Sequence, residues 1–456
     1  MEDEADLTGA TPRRRPKPDV LEIGGRRLKP STLMMGHGYD PALSEGSLKP
    51  PIFLTSTFVF ESAAAGKRHF EGVTGKRPGG AEGLIYSRFN GPNQEILEDR
   101  LSVWEDAEDA LTFSSGMSAI TTLLMTFVQP GDVVVHSGPL YAATETLIGR
   151  ILGRFGVKWL DFPAGATRDE IAAVIEQAKG QGRVPLIYLE SPANPTNALV
   201  DVQAVRAARD AAFPDNPPPI AIDNTFLGPL WHHPLRHGAD LSVYSLTKYA
   251  GGHSDLVAGG VVGSKALINP IRMIRNTIGT ITDPNTAWML LRSLETLELR
   301  MTRAGENADK VCRFLRDHPK VESVGYLGFL EEGGDARQAD IYRRHCMGAG
   351  STFSLYLKGG EAEAFAFLDR LKIAHLAVSL GGTETLASHP AAMTHLSVPD
   401  ERKQALGITD NLVRVSIGVE DPDDLIADFD QALDAIPGSA GAAARADQVE
   451  TSGAAE

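Results

Sequence analysis

Short apolar runs that end in polar residues punctuate the middle of the chain. They lie at 132–137 (DVVVHS), 185–190 (PLIYLE), 219–224 (PIAIDN) and 241–246 (LSVYSL). The first three are nearly continuous, the pattern of strands buried on both faces of a largely parallel sheet. Helical patterns separate the runs. Residues 94–105 place Ile96, Leu97, Leu101 and Trp104 on one face, and 167–178 do the same with Ile171, Val174, Ile175 and Ala178. Strand–helix alternation predicts an α/β fold with helices on both faces of a mostly parallel central sheet. The C-terminal third reads differently. Phe353, Leu355 and Leu357 alternate along 352–357, and Val413, Val415, Ile417 and Val419 alternate with Arg414, Ser416 and Gly418. Half-buried antiparallel strands have that pattern. Asp421 and Pro422 then open an amphipathic helix carrying Leu425, Ile426, Phe429 and Leu433. The reading is therefore an N-terminal arm at 1–61 with 1–30 disordered, an α/β domain at 62–290, and a smaller α+β domain at 291–437. A disordered tail follows at 438–456. A long helical stretch at 285–312 is expected to join the domains, and loops are expected at 66–83 and 214–219.

Composition narrows the function classes. Of 456 residues, 42% are hydrophobic and 23% charged, which suits a globular protein with a sizeable core. The formal net charge of −15 argues against a nucleic-acid partner. No apolar run approaches the ~20 residues needed to cross a bilayer. Two cysteines, Cys312 and Cys346, exclude a disulfide framework and point to a reducing compartment. Early acidic residues and the lack of an apolar leader argue against export or organelle import, so a cytoplasmic location is expected.

In open α/β sheets, ligands bind at the carboxyl ends of the strands. Those ends carry Ser137, Glu190, Asp223 and Ser245. Small residues Ser114, Ser115 and Gly116, with Met117, precede a helical run at 118–127, and a helix start of that kind offers free N–H groups to a phosphate. By itself it is equally a plain helix cap. Lys248 stands in SLTKY just beyond a buried strand, flanked by the hydroxyls of Ser245 and Thr247. A lysine so placed can attack a carbonyl as an amine, although a lone lysine after a strand is more often a surface residue. Asp223 ends its strand, where a carboxylate can pair with a protonated ring nitrogen. Together these are the parts of a pyridoxal phosphate site. His253 and Asp255 have no matching ligand cluster elsewhere, so no metal is expected.

The motifs carrying these residues resemble the Cys/Met metabolism family of pyridoxal-phosphate-dependent enzymes. They are YSR at 86–88, SSGMSA at 114–119, ESPANPT at 190–196, AIDNTF at 221–226, SLTKY at 245–249, GGHSD at 251–255, SLGGTETLASHPAAMTH at 379–395 and LVRVSIGVED at 412–421. The resemblance spans residues 33–436. It implies the fold-type I architecture of pyridoxal-phosphate-dependent transferases and the following roles. Lys248 holds the cofactor covalently and later moves the α and β protons. Asp223 keeps the pyridine nitrogen protonated. Ser115, Gly116 and Met117 cradle the phosphate, with Ser245 and Thr247 assisting. Tyr141 stacks on the ring and assists the leaving group, and Asn194 approaches both the ring oxygen and the substrate. Arg414 clamps the substrate carboxylate, beside Ser379. Tyr86 and Arg88 reach the phosphate of a neighbouring subunit, which implies a homodimeric site and a homotetramer.

Three departures bear on the reaction. The stretch after YSR is Phe89-Asn90-Gly91-Pro92-Asn93 where the family usually has Asn-Pro-Thr. Ala143 occupies the position where methionine γ-lyases typically place cysteine. Val378 occupies the position where cystathionine-handling members usually place glutamate. The resemblance thus implies chemistry at Cγ of a sulfur amino acid. It leans to a methionine γ-lyase-like lyase, with cystathionine γ-synthase next and O-acylhomoserine sulfhydrylase third. A cofactor-binding regulator without catalysis is the alternative of another class. Cys312, Cys346 and the His232-His233 pair match none of these motifs and are read as structural or surface residues.

Overall fold

The structure is a computed structural model that describes residues 21–74, 76–78, 83–396 and 398–436. The chain ends expected to be disordered lie outside these residues, apart from 21–30. There Glu22–Ile23 and Arg26–Arg27 form a small hairpin. The described residues up to Asn194, with Ala198–Thr302 and Leu330–Ala349, cluster into one compact unit. Pro195–Asn197, Arg303–Phe329 and the residues from Gly350 onward form a second. No helix among the described residues is long and apolar enough to cross a membrane.

The first unit is built on seven strands: β1 (Asp109–Phe113), β2 (Val133–Gly138), β3 (Lys158–Pro163), β4 (Ile187–Glu190), β5 (Ile220–Asp223), β6 (Leu241–Ser245) and β7 (Gly259–Gly263). Their spatial order is β1-β7-β6-β5-β4-β2-β3, and β7 alone runs against the rest. Alternate residues of the central strands serve opposite cores. Val134, Tyr188, Ala221 and Val243 pack with Leu123, Leu124 and Ile271. Val133, Ile187, Leu189 and Ile222 pack with Ile171, Ile175 and Val205. Both faces are covered, which is why these strands read as continuous apolar runs.

The helix expected at 94–105 spans Pro92–Trp104 and is buried all round, not on one face. Its polar side is absorbed by an ion network. Glu98 Oε1 accepts from Arg275 Nη1 at 2.6 Å and from the Thr112 N–H at 3.1 Å. Glu98 Oε2 lies 3.4 Å from Arg272 Nη1, and Arg272 Nη2 donates to Asp109 Oδ2 at 2.8 Å. Two further expectations are corrected. Residues 63–73 form a helix where a loop was read, capped by the Ser62 hydroxyl on the Ala65 N–H; Gly66 and Gly72 had masked it. The stretch at 285–312 is two helices, Pro284–Leu294 and Leu297–Asp317, broken at Glu295 and Thr296.

The second unit holds a five-stranded sheet of β8 (Val321–Gly325), β9 (Thr352–Leu357), β10 (His375–Leu376), β11 (Leu386–Ser388) and β12 (Leu412–Ser416), in the order β8-β9-β12-β11-β10. Only β10 and β11 pair in parallel. The helix Pro422–Asp434 starts at Asp421, whose carboxylate accepts the Asp423 N–H. The strands are not half-exposed as their alternation suggested. Every residue of β12 is buried, and the polar side chains of Ser354 and Ser388 stand in register beside Arg414. The apparent solvent face is a buried polar stripe.

A second buried carboxylate bears on pH. Glu105 follows the helix Pro92–Trp104 and accepts from the Tyr244 hydroxyl and from Asn224 Nδ2, the latter at 3.2 Å. Its Oε2 has no hydrogen bond and stands 3.9 Å from His233 Nδ1. Burial raises the Glu105 pKa to about 7, against the lowering effect of its hydrogen bonds. The folded chain therefore holds a proton that the unfolded chain releases, and stability falls as pH rises through about 7. In Glu105→Gln the amide oxygen keeps Tyr244 and Asn224, while the NH2 faces the His233 nitrogen. This variant is expected to raise the thermal midpoint at about pH 8 and to leave it unchanged at about pH 5. Equal shifts at both pH values would rule out titration of Glu105 as the cause.

Candidate active site

The polar strand ends meet at one edge of the large sheet, as β2, β4, β5 and β6 run parallel. Asp223 closes β5 with 9% exposure, and its Oδ1 accepts from the Thr225 N–H at 3.0 Å and hydroxyl at 2.5 Å. Its Oδ2 has no hydrogen bond among the described residues. Burial raises the Asp223 pKa, opposed by the two Thr225 bonds and the Lys248 charge. Lys248 sits in the turn after β6, half-buried. Its N–H donates to the Ser245 carbonyl at 3.1 Å, and its own carbonyl accepts from Gly252 at 2.7 Å. Thr225 ties the two segments together, since its hydroxyl also accepts the Ser245 N–H at 2.9 Å.

The helix Gly116–Phe127 begins beside this turn. Ser115 caps it reciprocally with Ser118, which satisfies the N–H groups of both serines. The N–H groups of Gly116 and Met117 have no acceptor among the described residues. Approach is close enough to demand glycine on both sides. A Cβ on Gly116 would lie 2.9 Å from Ser245 Cβ, and one on Gly259 would lie 2.2 Å from the Ser115 carbonyl oxygen. Two unused donors at a helix N-terminus, beside a hydroxyl and a lysine, suit a dianionic phosphate. An unpartnered carboxylate oxygen on Asp223 suits a protonated ring nitrogen. The residues present fit pyridoxal phosphate. Thr247 fits less simply, because its hydroxyl donates to the Ala258 carbonyl at 3.2 Å and accepts the Ala258 N–H at 3.1 Å. A phosphate contact from it requires giving up the carbonyl bond.

Tyr141 follows β2 and stays 40% exposed, whereas Asn194 follows β4 and is buried. Both are anchored by Glu190, whose Oε2 accepts the Tyr141 N–H at 2.7 Å and whose Oε1 accepts the Asn194 N–H at 3.0 Å. Glu190 was seen in the sequence only as a polar strand end. Its pKa is raised well above the carboxylate range by burial, with the Asp223 charge adding to the effect. Tyr86 and Arg88 stand apart from the Lys248 turn in their hydrogen bonds and ring contacts. The Arg88 guanidinium lies over the rings of Phe89 and Tyr86 and reaches the Asn276 carbonyl. They line an open depression with Phe58, Phe60 and Phe70.

Arg414 and Ser379 belong to the second unit. Arg414 is buried, and its Nη2 donates to the carbonyls of Val378 at 3.1 Å and Ser379 at 3.0 Å. The Val378 side chain is exposed. Cys312 is buried, and neither cysteine forms a disulfide. His232 and His233 are buried, so the surface alternative does not apply to them.

Comparison with known proteins identifies the family. The chain is 39% identical over 394 residues to the L-methionine gamma-lyase of Fusobacterium nucleatum subsp. polymorphum, covering 86% of this chain and 94% of that relative. It is 35% identical over 411 residues to the cystathionine gamma-lyase of Bacillus subtilis (strain 168), covering 90% and 100%. Among solved structures, cystathionine gamma synthase from Xanthomonas oryzae pv. oryzae in complex with cystathionine superposes with a TM-score of 0.80 at 31% identity, covering 90% of this chain and 99% of that one. Residues 31–434 match the family model described as Cys/Met metabolism PLP-dependent enzyme. With residues 31–434 matching the family model and relatives of this kind matched over nearly their whole length, the chain belongs to the Cys/Met metabolism family of PLP-dependent enzymes.

Proposed function

We propose that the protein is a methionine γ-lyase-like C–S lyase. Methionine and water would give 2-oxobutanoate, ammonia and methanethiol. The observation that carries this reading is Val378, an exposed apolar side chain that offers no charge partner to the distal ammonium of cystathionine. The L-methionine gamma-lyase relatives support it. A second reading, cystathionine γ-synthase, is favoured by Ala143 in place of cysteine. An O-acylhomoserine sulfhydrylase ranks third.

Bound pyridoxal phosphate supplies an electron sink for carbanions at Cα and Cβ. The chain's own residues do the rest. Gly116 and Met117 hold the phosphate through their N–H groups, with the Ser115 and Ser245 hydroxyls assisting. Asp223 would accept the ring N–H on its Oδ2 and so keep that nitrogen protonated. Lys248 Nζ carries the covalent link and shuttles protons at Cα and Cβ as base and then acid. The Tyr141 hydroxyl delivers a proton to the departing sulfur. Arg414 and Ser379 take the substrate carboxylate, and Asn194 holds the ring oxygen. Tyr86 and Arg88 serve the phosphate of a neighbouring copy, in a homo-oligomer working in the cytoplasm. Their open, partly apolar depression supports that assignment.

A substrate panel tests the reading on protein whose mass has been measured by sedimentation. Methionine, cystathionine, and O-acetyl- and O-succinylhomoserine are supplied with and without cysteine or sulfide. Release of 2-oxobutanoate from methionine alone is expected. Cystathionine formed only from an acylhomoserine plus cysteine would overturn the lyase in favour of the synthase. Full turnover by a monomer would remove the shared-site assignment of Tyr86 and Arg88.

A further inference from the structure

Glu190 has no part in the scheme above, yet it is buried at the edge where that scheme works. Its carboxylate is fully engaged. One oxygen takes the Tyr141 N–H at 2.7 Å and the other takes the Asn194 N–H at 3.0 Å. Its own N–H donates to the Ser137 hydroxyl at 3.0 Å, fixing the end of β4 to the end of β2. It stands in register with Asp223 on the neighbouring strand. A single side chain thus sets the backbone positions of the two residues that flank the ring, and it does so from the strand next to Asp223.

From this we propose that Glu190 is a positioning residue, a two-pronged anchor that fixes Tyr141 and Asn194 relative to each other and to Asp223. The Tyr141 and Asn194 N–H groups favour the ionised form of Glu190 and oppose the rise that burial imposes, and bonds to an ionised acceptor are stronger than their neutral counterparts. Burying a carboxylate beside another is costly, and burial raises the pKa of each. Packing alone gives no reason to tolerate that cost, because an amide of the same shape would fill the space. An amide cannot do the same task. Its one oxygen accepts one N–H, and its NH2 then confronts the other donor.

The proposal rests on the site assignment of Tyr141 and Asn194 but not on the choice of substrate, so its first readout uses none. In the cofactor-loaded Glu190→Gln protein, amide hydrogen exchange is followed by mass spectrometry in peptides covering 138–147 and 191–197. At least one of the two segments is expected to lose protection, while peptides from β5 and β6 keep theirs. The second readout is kinetic. A fall in kcat of roughly 10- to 100-fold with KM little changed is expected, since small displacements of reacting groups carry losses of that order. If Glu190→Gln does not fold, Glu190→Asp keeps both acceptors at shorter reach, and partial loss of protection is expected in both segments. Parental protection of both segments in either folded variant would overturn the anchor. So would loss of protection spread evenly over the sheet, which would mark a general packing role. Failure of the substrate panel would leave the exchange result standing, so the two readings fail separately.

Discussion

Lys248→Ala is expected to lower turnover by at least about 10³- to 10⁴-fold, because it removes both the covalent attachment point and the acid–base group. The fold should survive the change. Alanine keeps the main-chain bonds of residue 248 to Ser245 and Gly252 and the bond from the Ser245 N–H to the Thr225 hydroxyl. None depends on the side-chain amine. Circular dichroism and the thermal midpoint should therefore stay close to those of the parent, while the visible absorption of the cofactor-loaded protein changes. Turnover at the parental rate in a folded Lys248→Ala protein would exclude Lys248 from the chemistry.

The largest effect on stability is expected from Glu98→Ala. Glu98 is wholly buried and shared between Arg275, Arg272 and the Thr112 backbone. Removing it leaves the Arg275 guanidinium without a carboxylate partner and Arg272 with Asp109 alone. Breaking a buried ion pair from one side costs about 3–5 kcal/mol, since the surviving charge stays out of water. A drop in thermal midpoint on the order of 10 °C follows for a unit of this size, or loss of soluble protein. The damage should extend toward the site, because Arg275 also holds the Phe89 carbonyl in the turn that carries Tyr86 and Arg88. Glu98→Gln, which keeps shape and one acceptor, should fall between. A midpoint in Glu98→Ala equal to the parent's would show that the network contributes little.

How much of this was legible in the sequence depends on where each element lies. The four central strands β2, β4, β5 and β6 were read directly, because burial on both faces forces continuous apolar runs. Strand β3 is an edge strand with exposed Lys158 and Trp159, and its pattern is mixed. β7 is rich in glycine because a Cβ at Gly259 would strike the start of the Gly116 helix, one at Gly260 would crowd Leu246, and one at Gly263 would strike Leu241 and the Asp240 carbonyl. The buried side of the helix Pro92–Trp104 looked solvated because its cores are ionic. At the site, Asp223, Lys248 and Gly116 showed themselves as side chains or helix starts of the right type. Glu190 did not, since its partners are backbone N–H groups, which leave no trace in residue identity. The contacts of Arg414 escaped notice for the same reason.

Those contacts also bear on which side chains position 378 can carry. Position 378 is held through its carbonyl oxygen on Arg414, while its side chain projects outward. The anchor is indifferent to which residue occupies the position, so exchange between valine and glutamate alters what the segment offers a ligand without undoing its tie to the arginine. The tie to Arg414 runs through the main chain of residue 378 and so leaves its side chain unconstrained by that contact.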